Sequence, residues 1–276
     1  MPTVKDPQTD LQALTRQMRV EIIRMIEAAG NGHPGGSLSV IDILATLYTE
    51  FLNHKPQQPS WEDRDRVILS KGHACPALYA VMAHCGYFPK EELKNLRKLG
   101  SPLQGHPDRL RLPGVEVSTG SLGQGLSIAV GMALAAKMDK KDFRTWCVLG
   151  DGEMQEGQVW EAVMSAPKFK LDNLVAVVDY NGGQIDGPVK EVMDLAPLAD
   201  KFRAFNWKTL EIDGHDFAQI REAFQTASAS KNEPVAIVAK TVKGKGVSFM
   251  EHNIGWHGKG PDKNEADKAV EEILNA

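Results

Sequence analysis

The N-terminal part of the chain shows the hydrophobic periodicity of helices. From Thr9 to Gly30, apolar residues recur at three- and four-residue spacing, with a capping residue ahead and a glycine behind, which predicts an amphipathic helix. A second helical run follows Ser37, and a third helix is expected to start near Pro76, because proline suits the first turn of a helix. The first hundred residues should therefore be mainly helical.

The second half changes to short β-rich runs that alternate with helical segments. Strands are predicted at 145–150, 173–180, near 210–212 and at 234–242. Such alternation implies parallel strands joined by right-handed crossovers. The sequence thus predicts an α/β fold, a parallel sheet with helices on both faces, in a single domain of residues 1–276 with a helical N-terminal portion.

Two of the apolar segments are interpreted as core. The stretch IAVGMALAA at 128–136 is too short to span a bilayer and predicts a buried helix. Trp160 and Met164, on the helix that follows the strand at 145–150, are also interpreted as core residues rather than as ligand contacts.

Composition narrows the class of protein. A hydrophobic content of 42%, a charged content of 25% and a net charge of −4 describe an ordinary globular protein. No basic run suggests a nucleic-acid partner, and the first residues lack the apolar core of a signal peptide, so we expect a cytoplasmic protein without a membrane partner. Cys75, Cys85 and Cys147 lack metal-ligand spacing and are interpreted as buried thiols in a reducing compartment.

Candidate chemistry lies at the predicted carboxyl ends of two strands. Asp151 stands between Gly150 and Gly152 after one strand, and Asn181 follows the next strand in another glycine-rich turn. Ligands of open parallel sheets bind at this edge. A carboxylate, an amide and a nearby main-chain carbonyl are hard oxygen ligands that suit Mg²⁺ or Ca²⁺ rather than Zn²⁺. The pattern predicts a cation that in turn holds a diphosphate, which the glycines allow to approach closely.

The same turns have a simpler interpretation. Glycine, aspartate and asparagine are common in tight connections between strands and helices, so GDG alone is a weak signal. No lysine followed by serine or threonine comes after these glycines, and no G-x-G-x-x-G opens a helix after a strand, which excludes the two common nucleotide loops. By themselves the residues leave an ordinary turn and a cation site both open.

The histidines divide into two groups. A neutral imidazole near pH 7 both donates and accepts, as polyol binding and proton transfer require. The candidates for this work each stand next to a glycine, although each one could also be a structural turn residue: His33, His73, His106 and His257. The others are interpreted as surface or packing residues: His54, His84, His215 and His252.

Taken together in order, the motifs of the chain resemble the N-terminal, thiamine-diphosphate-binding domain of transketolase. The similarity runs from about residue 12 to about residue 260. It rests on NGHPGGSLS at 31–39, LSKGHACPALY at 69–79, LQGHPDRLRLPGVEVSTGSLGQG at 103–125, GDGEMQEG at 150–157, VDYNGGQIDG at 178–187 and WHG at 256–258. It is greatest for the N-terminal chain of split transketolases, and it implies the thiamine-diphosphate-binding fold of the PP domain type.

The resemblance implies a role for individual positions. Asp151 and Asn181 would bind the cation by side chain, and Gly183 by its carbonyl. Cofactor contacts would come from His73, Gly120, Leu122, Gly152, Glu156, Asn181, Ile185 and His257. Glu156 among them would lie in the subunit interface beside the cofactor. The four candidate histidines would be catalytic, and His33, His106 and His257 would face the sugar.

The resemblance also implies that this chain is half of an enzyme. The family needs a glutamate from a pyrimidine-binding domain, which the motifs of this chain do not include. We therefore expect the N-terminal subunit of a transketolase that moves a two-carbon ketol unit from a ketose phosphate to an aldose phosphate, as in the pentose phosphate pathway. It should need thiamine diphosphate, Mg²⁺ or Ca²⁺, and a C-terminal partner subunit that supplies the glutamate, in an α2β2 assembly.

Two alternatives are weighed against this expectation. A subunit of another thiamine-diphosphate enzyme, such as 1-deoxyxylulose-5-phosphate synthase, would share the fold and the WHG motif, but SKGHACPALY and GHPDRLRLPGVE favour transketolase. A non-catalytic paralogue that binds the cofactor or a partner would have no chemical need for Asp151, Asn181 and all four turn histidines.

Overall fold

The architecture is known from a computed structural model, which describes residues 10–276, so Thr9 and the rest of the first nine residues of the predicted domain lie outside the described residues. Five parallel strands form one sheet in the order β1-β2-β3-β7-β6, and β4 pairs with β5 in a small hairpin. The strands are β1 (Arg66–Leu69), β2 (Thr145–Gly150), β3 (Leu174–Tyr180), β4 (Gly183–Gln184), β5 (Gly187–Pro188), β6 (Lys208–Asp213) and β7 (Val235–Lys240). The predicted parallel α/β sheet is confirmed.

Helices cover both faces of this sheet, as predicted. The helices are α1 (Leu11–Ala29), α2 (Pro34–Thr46), α3 (Cys75–His84), α4 (Gln124–Met138), α5 (Gly157–Lys168), α6 (Val189–Val192), α7 (Leu198–Ala204), α8 (Phe217–Ala229) and α9 (Lys263–Asn275). The core on one face includes α1, α2, α3, α8 and α9, and the core on the other includes α4, α5 and α7. Since both faces are covered, the central strands are continuous apolar runs rather than alternating ones.

Strand β2 shows how the two halves of the core share the sheet. All of its residues are buried. Trp146 and Val148 point into the core on the α2 side, whereas Cys147 and Leu149 point into the core on the α4 side, because successive side chains of a strand alternate between faces. The strand therefore ends in Gly150 with both of its faces already covered.

The first two helices differ in how well the local sequence predicts the residue at which they begin. Asp10 caps α1 by accepting a hydrogen bond from the N–H of Ala13 at 3.0 Å, and Gly30 ends it in the left-handed region at φ 71°. In contrast, α2 begins at Pro34, earlier than the run predicted after Ser37, so that two glycines lie in its first turn. A Cβ at Gly36 would come within 3.3 Å of Nζ of Lys71 and of Nε2 of His73, so glycine allows this helix end to approach those groups.

Three expectations about the interior need correction. Strand β1 was missed, because only four residues, RVIL, form it within a region that reads as helical. The prediction that Met164 is core is wrong, since it is 60% exposed while the buried face of α5 carries Val159, Ala162, Val163 and Ala166. Helix α4 is buried on one side only, and Gly131 and Ala135 are exposed on the other. Trp160 is partly buried in the core, as predicted.

Within residues 10–276, the longest apolar helices fall short of what is needed to cross a bilayer.

Two glycines of α4 test how tightly this helix packs on the end of β1. A Cβ at Gly125 would lie 2.5 Å from Cβ of Ser70, whereas a Cβ at Gly131 would meet nothing within 4 Å. We expect Gly125→Ala to lower the free energy of unfolding by about 1–3 kcal/mol through overpacking. Gly131→Ala, the matched control, should raise it by up to about 1 kcal/mol because alanine favours the helix. Urea unfolding of both variants measures this, and equal effects of the two would contradict the packing described.

Candidate active site

A cavity of about 290 Å³ opens where the carboxyl ends of β1, β2, β3 and β7 come together. It is therefore at the edge where open parallel sheets bind ligands. Its lining includes most of the predicted site residues together with two lysines: Lys71, His73, Leu122, Asp151, Gly152, Glu156, Asn181, Gly183, Ile185, Lys243 and His257.

Asp151 and Asn181 lie side by side in this cavity because β2 and β3 are adjacent and parallel. One carboxylate oxygen of Asp151 accepts a hydrogen bond from the N–H of Gly152 at 2.8 Å, and the other accepts from the N–H of Gly182 at 2.5 Å. The side-chain oxygen of Asn181 accepts from the N–H of Gly183 at 3.1 Å. The two glycine-rich turns thus hold the predicted cation ligands against each other.

The carboxyl group of Asp151 is in an unfavourable environment for its charge. It is almost fully buried. Burial and, to a smaller extent, the negative charge of Asp179 raise the pKa of Asp151 to about 6, although the two main-chain N–H groups lower this pKa in part. A positive ion beside this carboxylate would relieve both effects. The local electrostatics therefore favour a bound cation at this position.

Two buried lysines, which were not predicted from the sequence, also line the cavity. The ammonium group of Lys71 donates to the carboxylate of Asp179 and to the carbonyl of Gly36. That of Lys243 donates to the carbonyl of Gly183 at 3.2 Å. Burial and then the charge of Lys71 lower the pKa of Lys243 to about 8. Lys71 stands within the SKGH motif and Lys243 in KGKG directly after a strand, so a basic residue next to glycine was the available signal.

Asp179 organises the floor of the cavity. Its carboxylate accepts hydrogen bonds from Ser39 at 2.6 Å, from the amide of Asn181 at 3.0 Å, and from Lys71 and Thr241. Burial alone would raise the pKa of Asp179, but the ammonium group and these donors outweigh it and lower the pKa. The carboxylate is therefore ionised, and it joins α2, β1, β3 and the segment after β7 at one point.

Glu153 plays a different part, because its carboxylate faces the protein. It is buried and accepts hydrogen bonds from the hydroxyl of Ser70, from the N–H of Gly123 at 2.9 Å and from the N–H of Gly150 at 3.1 Å. These contacts hold the turn before α4 against the ends of β1 and β2. Leu122, in that turn, is thereby placed on the cavity wall.

The four candidate histidines come together although they are far apart in the sequence. The ring centroid of His33 lies 5.3 Å from that of His73, 5.6 Å from that of His257 and 6.2 Å from that of His106. The rings of His73 and His257 are stacked at 5.1 Å. The remaining four histidines have partners away from this cluster or lie at the surface.

These imidazoles are neutral at pH 7. Burial, then the nearby positive charge of Arg97, lowers the pKa of His33 to about 4. Burial and Lys243 lower the pKa of His257 to about 3, and burial also lowers the pKa of His73 and His106. The Nδ1 atoms of His33 and His257 are buried and have no hydrogen-bond partner in residues 10–276, so neither ring is held in place by a hydrogen bond at that nitrogen.

Not every predicted residue lines the cavity itself. His33, His106 and Gly120 lie beyond its wall, with Gly120 packed so closely on the ring of His106 that a Cβ there would come within 3.0 Å of it. Glu156 and Ile185 are exposed, and Ile185 keeps 69% of its surface. These two positions therefore form the open side of the cavity.

The residues fit a cation and a diphosphate on the chemistry of the side chains. No cluster of three histidine, cysteine, aspartate or glutamate side chains suited to a metal occurs in residues 10–276, and the set here has one carboxylate with amide and carbonyl oxygens. Such a set suits Mg²⁺, which keeps ligands from water and phosphates. Glycine is required at position 152, because a Cβ there would lie 2.6 Å from the Cβ of Gln184. Lys243 supplies positive charge for an anion, whereas the charge of Lys71 is paired with Asp179.

Comparisons with known proteins agree with this geometry. Residues 11–273 match the family model described as "Transketolase, thiamine diphosphate binding domain". The chain is 46% identical to the 6-deoxy-6-sulfo-D-fructose transketolase subunit of Clostridium sp. strain MSTE9, over 92% of each chain. It is 40% identical to an apulose-4-phosphate transketolase subunit of Phocaeicola vulgatus, over 95% of this chain and 93% of that one.

Solved structures give the same answer for the fold. The crystal structure of transketolase from Campylobacter jejuni superposes with a TM-score of 0.90 at 37% identity. The similarity covers 96% of this chain but 42% of that one. The longer protein therefore contains this fold as one part of its chain.

The depressed histidine pKa values predict acid sensitivity. Between pH 7 and about 5, His33 and His257 should bind protons in the unfolded chain but not in the folded one, so the stability they contribute falls as the pH falls. We expect the melting temperature of the protein to fall as the pH is lowered from 7 to about 5. The melting temperature of the His257→Asn variant should fall less steeply over the same range. The ring resonances of His33 and His257 should not move in an NMR titration over the same range. A midpoint within it for either ring would contradict the burial described.

Proposed function

Because the chain belongs to the transketolase family of thiamine-diphosphate-binding domains, we propose that it is the N-terminal subunit of a two-chain transketolase. It forms a single diphosphate-binding domain, residues 1–276, and transfers a two-carbon ketol unit from a ketose phosphate to an aldose phosphate once its partner is bound. The observation that carries the proposal is the cluster of four neutral histidines beside a cavity that holds an aspartate, an asparagine and two buried lysines.

The cation of this proposal is Mg²⁺, with Ca²⁺ as the alternative. Asp151 and Asn181 hold it by side chain and Gly183 by its carbonyl, and all three line the cavity. The raised pKa of Asp151 and the lowered pKa of Lys243 support this assignment, because a cation near the first and an anionic diphosphate near the second would relieve both. His73, Gly120, Leu122, Gly152, Glu156, Ile185 and His257 are the other proposed cofactor contacts.

Thiamine diphosphate, when bound, supplies the nucleophilic carbon and the electron sink that two-carbon transfer requires. The part of this chain is to bind and orient the sugar. His33, His106 and His257 present neutral imidazoles, which donate to and accept from hydroxyl groups and can take up and release a proton. The rings of His33 and His257, whose centroids lie 5.6 Å apart, are the proposed first contacts.

The open side of the cavity supports a partner subunit. Ile185, Val192 and Met193 expose 69%, 42% and 61% of their surfaces near the cavity mouth, and apolar groups of this size are normally covered at interfaces. We propose that a C-terminal transketolase subunit covers them and supplies the pyrimidine-binding domain with its glutamate. Glu156 lies on the same exposed side, and an α2β2 assembly in the cytoplasm is the proposed form.

Two classes of donor sugar are proposed. The first is a phosphorylated ketose of the pentose phosphate pathway, as the similarity to transketolase implies. The similarity to a subunit named for 6-deoxy-6-sulfo-D-fructose favours a second candidate, in which the donor carries a sulfonate instead of a phosphate. Both donors belong in the same assay.

Two-carbon transfer should require both subunits. With thiamine diphosphate and Mg²⁺, we expect the purified chain alone to show no transfer from xylulose 5-phosphate or 6-deoxy-6-sulfofructose to ribose 5-phosphate, and the mixture with its partner to show it. Asp151→Ala should lower the activity of the mixture by about 100-fold or more, because the cation loses its only carboxylate ligand. The matched control Asp200→Ala changes an exposed aspartate on α7 and should leave activity intact. Activity of the single chain would overturn the two-chain assembly.

Removal of the divalent cation should be reversible. We expect a chelator to abolish activity of the two-chain enzyme, and added Mg²⁺ or Ca²⁺ to restore it together with thiamine diphosphate. Below about pH 6 the Asp151 carboxyl is protonated, so more cation should be needed for half-maximal activity at pH 5.5 than at pH 7.5. A cation requirement that is the same at both values would argue against Asp151 as the ligand.

A further inference from the structure

A second buried polar group lies next to the site but outside its cavity. Asp42 on α2 is 3% exposed, and one of its carboxylate oxygens accepts from the guanidinium of Arg19 at 2.6 Å. The same oxygen lies 2.7 Å from Nδ1 of His215, in the turn after β6. Burial raises the pKa of Asp42, but Arg19 and His215 outweigh it and lower the pKa, so the carboxylate is ionised.

The other nitrogen of His215 determines which tautomer is present. The main-chain N–H of Val242 points to Nε2 of His215 at 2.9 Å. An N–H group can only donate, so Nε2 is the acceptor and the proton is on Nδ1. Nδ1 then donates to Asp42. His215 therefore joins α2 to the main chain after β7 through two hydrogen bonds of opposite sense.

The segment held in this way carries groups of the cavity. Val242 stands between Thr241, which donates to Asp179, and Lys243, which donates to the carbonyl of Gly183. The same connection continues to His257. A shift of the main chain at Val242 would displace the residues on both sides of it, because side chains follow the backbone to which they are attached.

The other end of the connection is also part of the site. Helix α2 begins at Pro34, next to His33, and its Gly36 carbonyl accepts from Lys71. His215 therefore links the helix that carries one side of the site to the segment that carries the opposite side. Neither His215 nor Asp42 lines the cavity, so any effect on the reaction acts through the residues that do.

We propose that His215 is a positioning residue of the cofactor site, which fixes the segment after β7 to α2 so that Lys243 lies at the cavity. The inference rests on the proposed function for its role in the reaction, although the link itself does not. The essential part is the acceptor at Nε2, because it holds the main chain. The contact of Nδ1 with Asp42 orients the ring.

Two substitutions separate these contacts. Glutamine at position 215 places an amide at the position of Nε2 and can accept from Val242, whereas asparagine reaches only the position of Nδ1 and contacts Asp42. We therefore compare His215→Gln with His215→Asn. The matched control is His84→Gln, since His84 forms a similar pair with the carboxylate of Glu21 at 2.7 Å on the far side of α1.

The first measurement is amide hydrogen exchange of the segment 241–247 in the full chain. We expect faster exchange in His215→Asn than in His215→Gln, with His84→Gln unchanged from the natural sequence. The second is steady-state kinetics of the two-chain enzyme. His215→Asn should raise the KM for thiamine diphosphate by about 10-fold, with kcat at saturating cofactor within about twofold, as for residues that orient a ligand indirectly. His215→Gln should restore most of the affinity.

The outcomes distinguish the inference from the proposed function. If this chain with its natural sequence and its partner subunit transfer no two-carbon unit, the proposed function fails. Thermal protection of this chain by Mg²⁺ with thiamine diphosphate then replaces the kinetic measurement. Greater loss of protection in His215→Asn than in His215→Gln would then still support the inference. Equal exchange in both variants, or equal KM and protection, would overturn it. A loss of kcat without a change in KM would also overturn it.

Discussion

The buried ion pair between Lys71 and Asp179 is the interaction on which the site depends. Neither charge is stable in the interior without a partner, and removal of one would leave the other uncompensated. The pair therefore holds the end of β1 to the end of β3. Because Ser39 and Thr241 donate to the same carboxylate, α2 and the segment after β7 are held to the same point.

Without a ligand, the charged groups of the cavity above this pair are in unfavourable electrostatic environments. Asp151 is a carboxylate beside another carboxylate, and Lys243 is an ammonium group beside another ammonium group, so burial and like charges disfavour both. Perturbed groups of opposite sign in one cleft are typical of functional sites. A divalent cation with a diphosphate would supply charges opposite to those of Asp151 and Lys243. Without these ligands, the two disfavoured charges lower the stability of the folded protein.

The fold alone would not have led to this conclusion, since parallel α/β sheets support many reactions. The site is more specific because the proposed cation ligands and the proposed hydroxyl-binding histidines meet in one place. Asn181 is one of the proposed cation ligands, and His257 both lines the cavity and lies beside His33. Its open side, where Ile185 is exposed, agrees with the proposed partner subunit, and two relatives are named as transketolase subunits.

The sequence by itself determined the α/β class and the pairing of Asp151 with Asn181, because periodicity reports burial and two successive strand ends lie at one sheet edge. It also singled out four histidines by their motifs, although a glycine neighbour alone does not distinguish them, since His215 follows Gly214. Only the tertiary structure decided that His33 and His257 meet, that Lys71 and Lys243 are buried cations of the site, and that β1 forms at all. These depend on strand order and on contacts between distant segments, and a local pattern carries no information about which segments become neighbours.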